Sequence, residues 1–171
     1  MLNFKVEGVK ALALYEYNEM FQEILYQFKG CYDIELNSVF LEYYIDYLKL
    51  KYKGYYMVPA PSYLMHDKNR GFNHVEEMFK FLNLKMISCF KKDNDIKQAN
   101  LSFKERQNIY KDISIHNGEQ LTNKNILLVD DVFTSGSTMK AMIKMVKKYN
   151  PKRIRVLVAS KTKDNGYKKI F

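Results

Sequence analysis

The segment from Asn125 to Ala159 constrains the fold of this chain more than any other. It opens on four apolar residues, Ile126 to Val129, passes through Asp130 and Asp131 into a hydroxyl-rich loop, and continues as a helix-forming stretch from Gly136 to Tyr149. Pro151 is a stop signal for that helix, and Arg153 to Ala159 reads as a second strand. Four apolar residues in a row suit a strand buried on both faces, as parallel sheets covered by helices require. Strand, crossover helix and strand make a βαβ unit, so its two strands are expected to be parallel.

The rest of the chain continues this alternation, which makes the fold class α/β. Val9 to Tyr15 has the composition of a strand, and Asn18 is placed to cap a helix that carries Phe21, Ile24, Leu25 and Phe28 on one face and stops at Gly30. A second helix is expected over Glu35 to Leu50, with Val39, Tyr43, Tyr47 and Leu50 turned inward. Tyr55 to Pro59 reads as a buried strand ended by a Pro-Ala-Pro break, and Ser62 to Gly71 as a polar loop. Asn73, with Glu76 three positions on, predicts a capped third helix that buries Val75, Phe79 and Leu82. A short strand near Lys85 to Cys89 then leads into Phe90 to Lys111, a hydrophilic connection of a length that is usually functional or mobile. At 171 residues the chain is expected to form one domain.

Charge narrows the partners. Lys and Arg number 28 against 19 Asp and Glu, a net charge of +9, so polyanions are candidate partners. All the cations except Arg70, Arg106, Arg153 and Arg155 are lysines, which equally fits a solvated surface. No apolar run is longer than Ala11 to Tyr15, so a membrane span and a secretory segment are not expected and a cytoplasmic location is. Cys31 and Cys89 lack CxxC spacing, so no zinc site is expected and both are read as reduced, buried thiols.

Residues 126 to 138, ILLVDDVFTSGST, carry the chemistry. Ligands of open α/β sheets bind at the carboxyl ends of strands, where Asp130 and Asp131 stand. Neighbouring strand residues point to opposite faces, so both acids can meet one ligand only if Val132 and Phe133 already turn the chain out of the strand. Thr134, Ser135, Gly136, Ser137 and Thr138 then bring hydroxyls and backbone N–H groups to a helix N-terminus, a natural anion site. Single Asp, Ser or Thr residues before a helix can be simple caps. Taken together, two acids beside a phosphate cradle fit a ligand that also carries hydroxyls or a metal, and a ribose 5-phosphate meets both conditions. GxxxxGK[ST] and GxGxxG are both absent, which excludes a Walker-type site and leaves a dinucleotide fold unsupported.

LLVDDVFTSGST resembles, in full, the phosphoribosyl-pyrophosphate-binding motif of type I phosphoribosyltransferases. YEYNEMFQEILYQFKG, VPAPSYLMHDKNRGFN, QANLSFKERQN and that motif resemble, in this order and over residues 10 to 160, the ComF family of competence-associated phosphoribosyltransferase-like proteins. The resemblance implies a type I phosphoribosyltransferase-like fold over residues 1–171, with a mostly parallel central sheet flanked by helices and a flexible hood over residues 90–111. It implies that Asp130 and Asp131 are the catalytic acids on the ribose hydroxyls, and that Thr134, Ser135, Gly136, Ser137 and Thr138 hold the 5-phosphate. Ala60, Pro61 and Ser62 would form the pyrophosphate loop, with Arg70 and Lys68 offering charge, and Lys91, Lys92, Lys104 and Arg106 would serve the hood. Mg²⁺ would arrive with the pyrophosphate.

The implied activity is transfer of a phosphoribosyl group from phosphoribosyl pyrophosphate to a nitrogen nucleophile, in nucleotide salvage or in DNA uptake. The alternative is a non-catalytic competence adaptor or sensor that keeps the ligand and binds single-stranded DNA or competence-machinery proteins. Three departures from the family pattern stand out. The cysteine-rich zinc ribbon common in relatives is absent, His74 stands where Gln is usual, and Ala60 replaces a larger residue.

Overall fold

The computed structural model describes residues 1–92 and 113–163. Its centre is a six-stranded sheet of β1 (Leu2–Val6), β2 (Val9–Glu16), β3 (Tyr56–Pro59), β4 (Lys85–Met86), β7 (Asn125–Phe133) and β8 (Arg153–Lys161), in the order β1-β2-β8-β7-β3-β4. All neighbours pair in parallel except β1, which joins β2 as an antiparallel edge. Sequence reasoning did not anticipate that hairpin. Its turn is Glu7-Gly8, both at positive φ (48° and 78°), the two-residue geometry whose twist matches that of the strands. A second, two-stranded antiparallel sheet joins β5 (Phe90–Lys92) to β6 (Ile113–Ile115). The remainder of the anticipated hood, with Lys104 and Arg106, lies outside the described residues.

Alternation along the central strands builds two cores. Ile126, Leu128, Val156 and Val158 face α5 (Ser137–Lys147), which buries Met139, Met142, Ile143 and Val146 against them. Leu127, Val129, Leu157 and Ala159 face the opposite layer, made by α1 (Glu19–Lys29), α2 (Ile45–Lys51) and α4 (His74–Phe79). The predicted caps hold: Asn18 accepts from the Phe21 N–H at 2.8 Å, and Asn73 from the N–H groups of Val75 and Glu76. Glu76 does not complete a reciprocal box, because it accepts from the Ser88 hydroxyl instead.

The structure corrects four expectations. Glu35 to Leu50 is not one helix: 3₁₀ turns over Ile34–Ser38 and Glu42–Tyr44 precede α2. At three residues per 3₁₀ turn the 3.6-residue phase is lost. The face predicted to be buried is therefore outside, with Tyr43 85% and Leu50 78% exposed, while Phe40, Leu41, Leu48 and Tyr52 are the buried residues. Ser62 to Gly71 is not a loop, for Leu64–Arg70 forms α3, ended by Gly71 at φ 85°. That helix buries no residue, so it leaves no apolar period in the sequence. Val132 and Phe133 do not turn the chain; β7 runs on to Phe133, paired with Lys161. Cys31 is exposed, whereas Cys89 is buried and its thiol is pushed up to about 11 by that burial.

The topology fixes where a ligand can enter. From β3 the chain passes through α3 and α4 on one face to β4, and from β7 it passes through α5 on the other face to β8. Neighbouring strands β3 and β7 therefore flank a topological switch point, where the loops at their carboxyl ends part and leave a crevice.

Candidate functional site

The loop after β7 forms one wall of that crevice. Asp130 lines a small open pocket with Phe133, Thr134, Ser135, Gly136, Ser137, Thr138 and Met139. Gly136, the N-cap of α5 at φ 71°, has no side chain to cap the helix, no acid stands in the first turn, and the Ser135 hydroxyl accepts from the Ser137 N–H at 3.3 Å. The positive end of the helix thus faces the pocket with its hydrogen-bond capacity largely unspent. Ser135 and Ser137 share a 2.9 Å hydroxyl–hydroxyl hydrogen bond, which shapes the loop locally. Phe133 anchors the loop from behind: its ring packs edge-on against Phe4 at 4.9 Å, and its carbonyl accepts from the Thr162 N–H at 3.1 Å.

The two acids part company. Asp130 follows Ile126 and Leu128 in the alternation and so leaves β7 on the α5 side, beside the loop. Burial, and then the charge of Asp131, push its carboxyl well above the usual carboxylate range, while Lys92 works in the opposite direction. Asp131 follows Leu127 and Val129 to the other face. There its Oδ2 meets Lys29 Nζ at 2.7 Å and His74 Nε2 at 3.2 Å. Burial alone would raise its pKa, but the Lys29 ammonium and His74 outweigh burial and hold the carboxyl well below the usual range. Lys29 responds in kind: burial would lower its pKa, and the charge of and hydrogen bond to Asp131 raise it instead.

The β3 loop forms the second wall. Ala60 is buried, and its N–H donates to the Val129 carbonyl at 2.8 Å, which sets the loop level with Asp130. Pro61 is buried beside it, and the Ser62 hydroxyl donates to Asp67 Oδ1 at 2.7 Å. Arg70 does not point at this loop. Its Nε donates to the Lys29 carbonyl at 3.0 Å and its Nη1 lies 2.9 Å from His74 Nδ1. Lys92 sits near both walls, with its ammonium 4.5 Å from the centre of the Tyr63 ring.

Lys29 escaped the sequence reading, having looked like an ordinary basic residue in the last turn of α1. His74 was visible only as a departure from a family pattern. Among the described residues, no group of three or more His, Cys, Asp or Glu is placed to hold a metal ion, and no helix is long and apolar enough to cross a membrane.

The chain is similar in sequence to known proteins. The chain is 28% identical over 148 residues to competence protein ComFC of Streptococcus pneumoniae, covering 86% of this chain and 66% of that protein. This bears out the resemblance to the ComF family. Human hypoxanthine-guanine phosphoribosyltransferase is 38% identical over 66 residues, which cover 35% of this chain and 30% of the enzyme. The chain therefore spans less than two thirds of the length of these relatives. A solved hypoxanthine phosphoribosyltransferase from Staphylococcus aureus aligns with 13% identity and a TM-score of 0.46, covering 78% of this chain and 77% of the other. The pattern of the phosphoribosyl transferase domain matches residues 73–170, more than half of the chain and the part that holds β7, its loop and α5, and the chain belongs to that family.

Proposed function

We propose that the protein binds phosphoribosyl pyrophosphate together with Mg²⁺ and moves its phosphoribosyl group onto a nitrogen nucleophile. The observation that carries this reading is the convergence of Asp130, Thr134, Ser135, Ser137, Thr138 and the N-terminus of α5 in one pocket beside the β3–β7 switch point. The helix end and the loop take the 5-phosphate. Asp130 lines the same pocket, and its carboxyl can accept from the ribose hydroxyls. The Ala60 to Ser62 loop faces the departing pyrophosphate from the other wall. Mg²⁺ comes as part of the substrate, since pyrophosphate oxygens are the hard donors it prefers.

In the reaction the bond from C1 of the ribose to the pyrophosphate oxygen breaks and its electron pair leaves with the pyrophosphate. The nitrogen lone pair forms the new bond, and the proton on that nitrogen passes to solvent. The protein contributes position and electrostatics, without a covalent intermediate. Release of pyrophosphate when the protein is incubated with phosphoribosyl pyrophosphate, Mg²⁺ and each of a panel of purine and pyrimidine bases tests for transfer; no release with any base speaks against catalysis.

A second reading is favoured by one specific feature. From Val132 to Lys163 the chain carries Lys and Arg but no Asp or Glu, and Lys140, Lys144 and Lys147 recur at helical spacing along α5, with Lys148 at its C-cap. A competence adaptor that holds phosphoribosyl pyrophosphate and binds single-stranded DNA through this face accounts for that asymmetry, and the name of the similar pneumococcal protein supports it. This reading expects affinity for single-stranded DNA that falls steeply with salt and weakens when Lys140 and Lys144 are both changed to Glu.

A further inference from the structure

The segment from Val39 to Lys53 carries an amphipathic pattern that the pocket does not use, and the structure turns its apolar side outward. Tyr43 is 85%, Leu50 78%, Tyr47 44% and Val39 41% exposed, while Leu41, Leu48 and Tyr52 fill the core beneath. Tyr43, Tyr47 and Leu50 are spaced four and three residues apart, the period of one helical face. A monomer gains nothing by holding such side chains in a row in water, and contiguous exposed apolar surface marks contact sites. Two of the three are also pinned. The Lys51 ammonium donates to the Tyr47 hydroxyl at 2.7 Å and lies 5.0 Å from the centre of its ring, and the Tyr43 ring packs edge-on against half-buried Tyr44 at 4.9 Å. Side chains already held lose little freedom on docking, and tyrosines are enriched at the centres of interfaces.

The charges beside this row select the partner. Over residues 33 to 46 the charged residues are Asp33, Glu35, Glu42 and Asp46, and over residues 47 to 53 they are Lys49, Lys51 and Lys53. Glu42, Asp46, Lys49 and Lys53 follow one another at spacings of four, three and four, so they form one exposed flank of the apolar row. Along that flank the neighbours four residues apart share a sign, which repels within one helix. Among the described residues none of these four side chains is in a salt bridge. The helix dipole favours acid first and base last, as in α2, yet it does not account for the apolar row beside them. A polyanion laid along this face would be repelled by Glu42 and Asp46. A partner that is basic where this flank is acidic, and acidic where it is basic, is the same flank of a second copy turned end for end.

We propose that α2 and the 3₁₀ turn before it form the contact face of a symmetric homodimer, with the two helices antiparallel about a twofold axis at Tyr47. In such a pairing each flank faces its own copy. Asp46 meets Lys49 of the second copy, Glu42 meets its Lys53, and symmetry repeats both contacts. The same axis sets Tyr47 against Tyr47 of the second copy and Tyr43 beside its Leu50. A stable interface buries about 800 Å² on each partner, of which one short helix supplies only part, so a dissociation constant of about 10–100 µM is expected. The dimer does not depend on the ligand reading, because α2 packs on the face of the sheet opposite α5 and its pocket.

Sedimentation velocity of the full chain over a series of concentrations tests it. The native protein is expected to pass from monomer to dimer, and Leu50→Glu, which puts a carboxylate into the apolar row, to weaken the dimer by at least about tenfold. Charge reversal tests the antiparallel arrangement. Asp46→Lys and Lys49→Asp each set like charges against one another across the axis, so each variant alone should self-associate at least about tenfold more weakly than the native chain. An equimolar mixture of the two variants opposes lysines on one chain to aspartates on the other, and should regain a dimer close to native affinity with one chain of each kind. All three substitutions fall at exposed positions, and an unchanged melting profile shows that each variant is folded. A native protein that stays monomeric up to about 1 mM overturns the proposal. So does a Leu50→Glu, Asp46→Lys or Lys49→Asp variant that dimerises like the native chain, or a mixture that recovers no dimer.

Discussion

The Phe133 ring occupies the space that a side chain at Gly136 would need, and Gly136 itself sits at φ 71°, where an L side chain is strained. Two independent demands therefore make this position glycine, one from the backbone and one from packing. The ring is in turn held by Phe4 of the edge hairpin, so the shape of the Thr134 to Thr138 loop depends on the first strand of the chain.

Gly136→Ala is accordingly expected to destabilise the fold by about 2–3 kcal/mol, from left-handed strain together with displacement of the ring. Phe133→Ala is destabilising by itself, yet in the double variant the clash term disappears. Urea unfolding of the four proteins of this cycle should give a double-variant loss smaller than the sum of the two single losses. Additive losses contradict the interlock.

The two neighbouring acids are expected to affect stability with opposite signs. The folded pKa of Asp130 is raised by burial and by Asp131, so its contribution is present below the unfolded value of about 3.9 and is lost as pH rises through the folded value. Asp130→Asn cannot ionise and should raise the melting temperature at neutral pH. Asp131 is the reverse case: its folded pKa is depressed by Lys29 and His74, so its contribution is present above about 3.9 and is lost as pH falls through the folded value. Asp131→Asn should cost about 1–3 kcal/mol at neutral pH, less than for a fully buried pair because the Lys29 side chain is 39% exposed. Thermal melts of both variants from about pH 4 to about pH 8 check the two signs, and a shift in the same direction for both variants contradicts the division between the acids.

Ser160, fully buried on β8 beside Val132 and Tyr15, has a hydroxyl with no hydrogen-bond partner. Removing an unsatisfied buried polar group is neutral or favourable, so Ser160→Ala should change stability by between zero and about 1 kcal/mol in the stabilising direction. Denaturant unfolding measures this directly. A loss greater than about 1 kcal/mol means that the hydroxyl has a partner in solution.

Much of the fold was legible because its strongest signals are local. The βαβ unit follows from Ile126 to Val129, Pro151 and the apolar run of β8, and the caps at Asn18 and Asn73 announce α1 and α4 within four residues. What was illegible depends on tertiary partners. Asp130 to Phe133 looks like a loop in isolation and stays in the sheet because β8 pairs with it as far as Lys161. α3 buries nothing, so no period betrays it; Ser62, Asp67, Arg70 and His74 tie it to its surroundings instead. That residues 134 to 138 line a pocket at the start of α5 was readable from their hydroxyls and glycine. The partition of the two acids was not, because Lys29 meets Asp131 across 102 residues of sequence.

The central claim is that the pocket around Asp130 and α5 takes phosphoribosyl pyrophosphate. Calorimetric titration of the native protein with this ligand and Mg²⁺, repeated on Asp130→Asn, tests it most directly. The account predicts saturable binding that Asp130→Asn weakens by at least about tenfold, as expected for the loss of a hydrogen bond involving a carboxyl group. A folded native protein that takes up no ligand, or an Asp130→Asn variant that binds as tightly as the native chain, would contradict it.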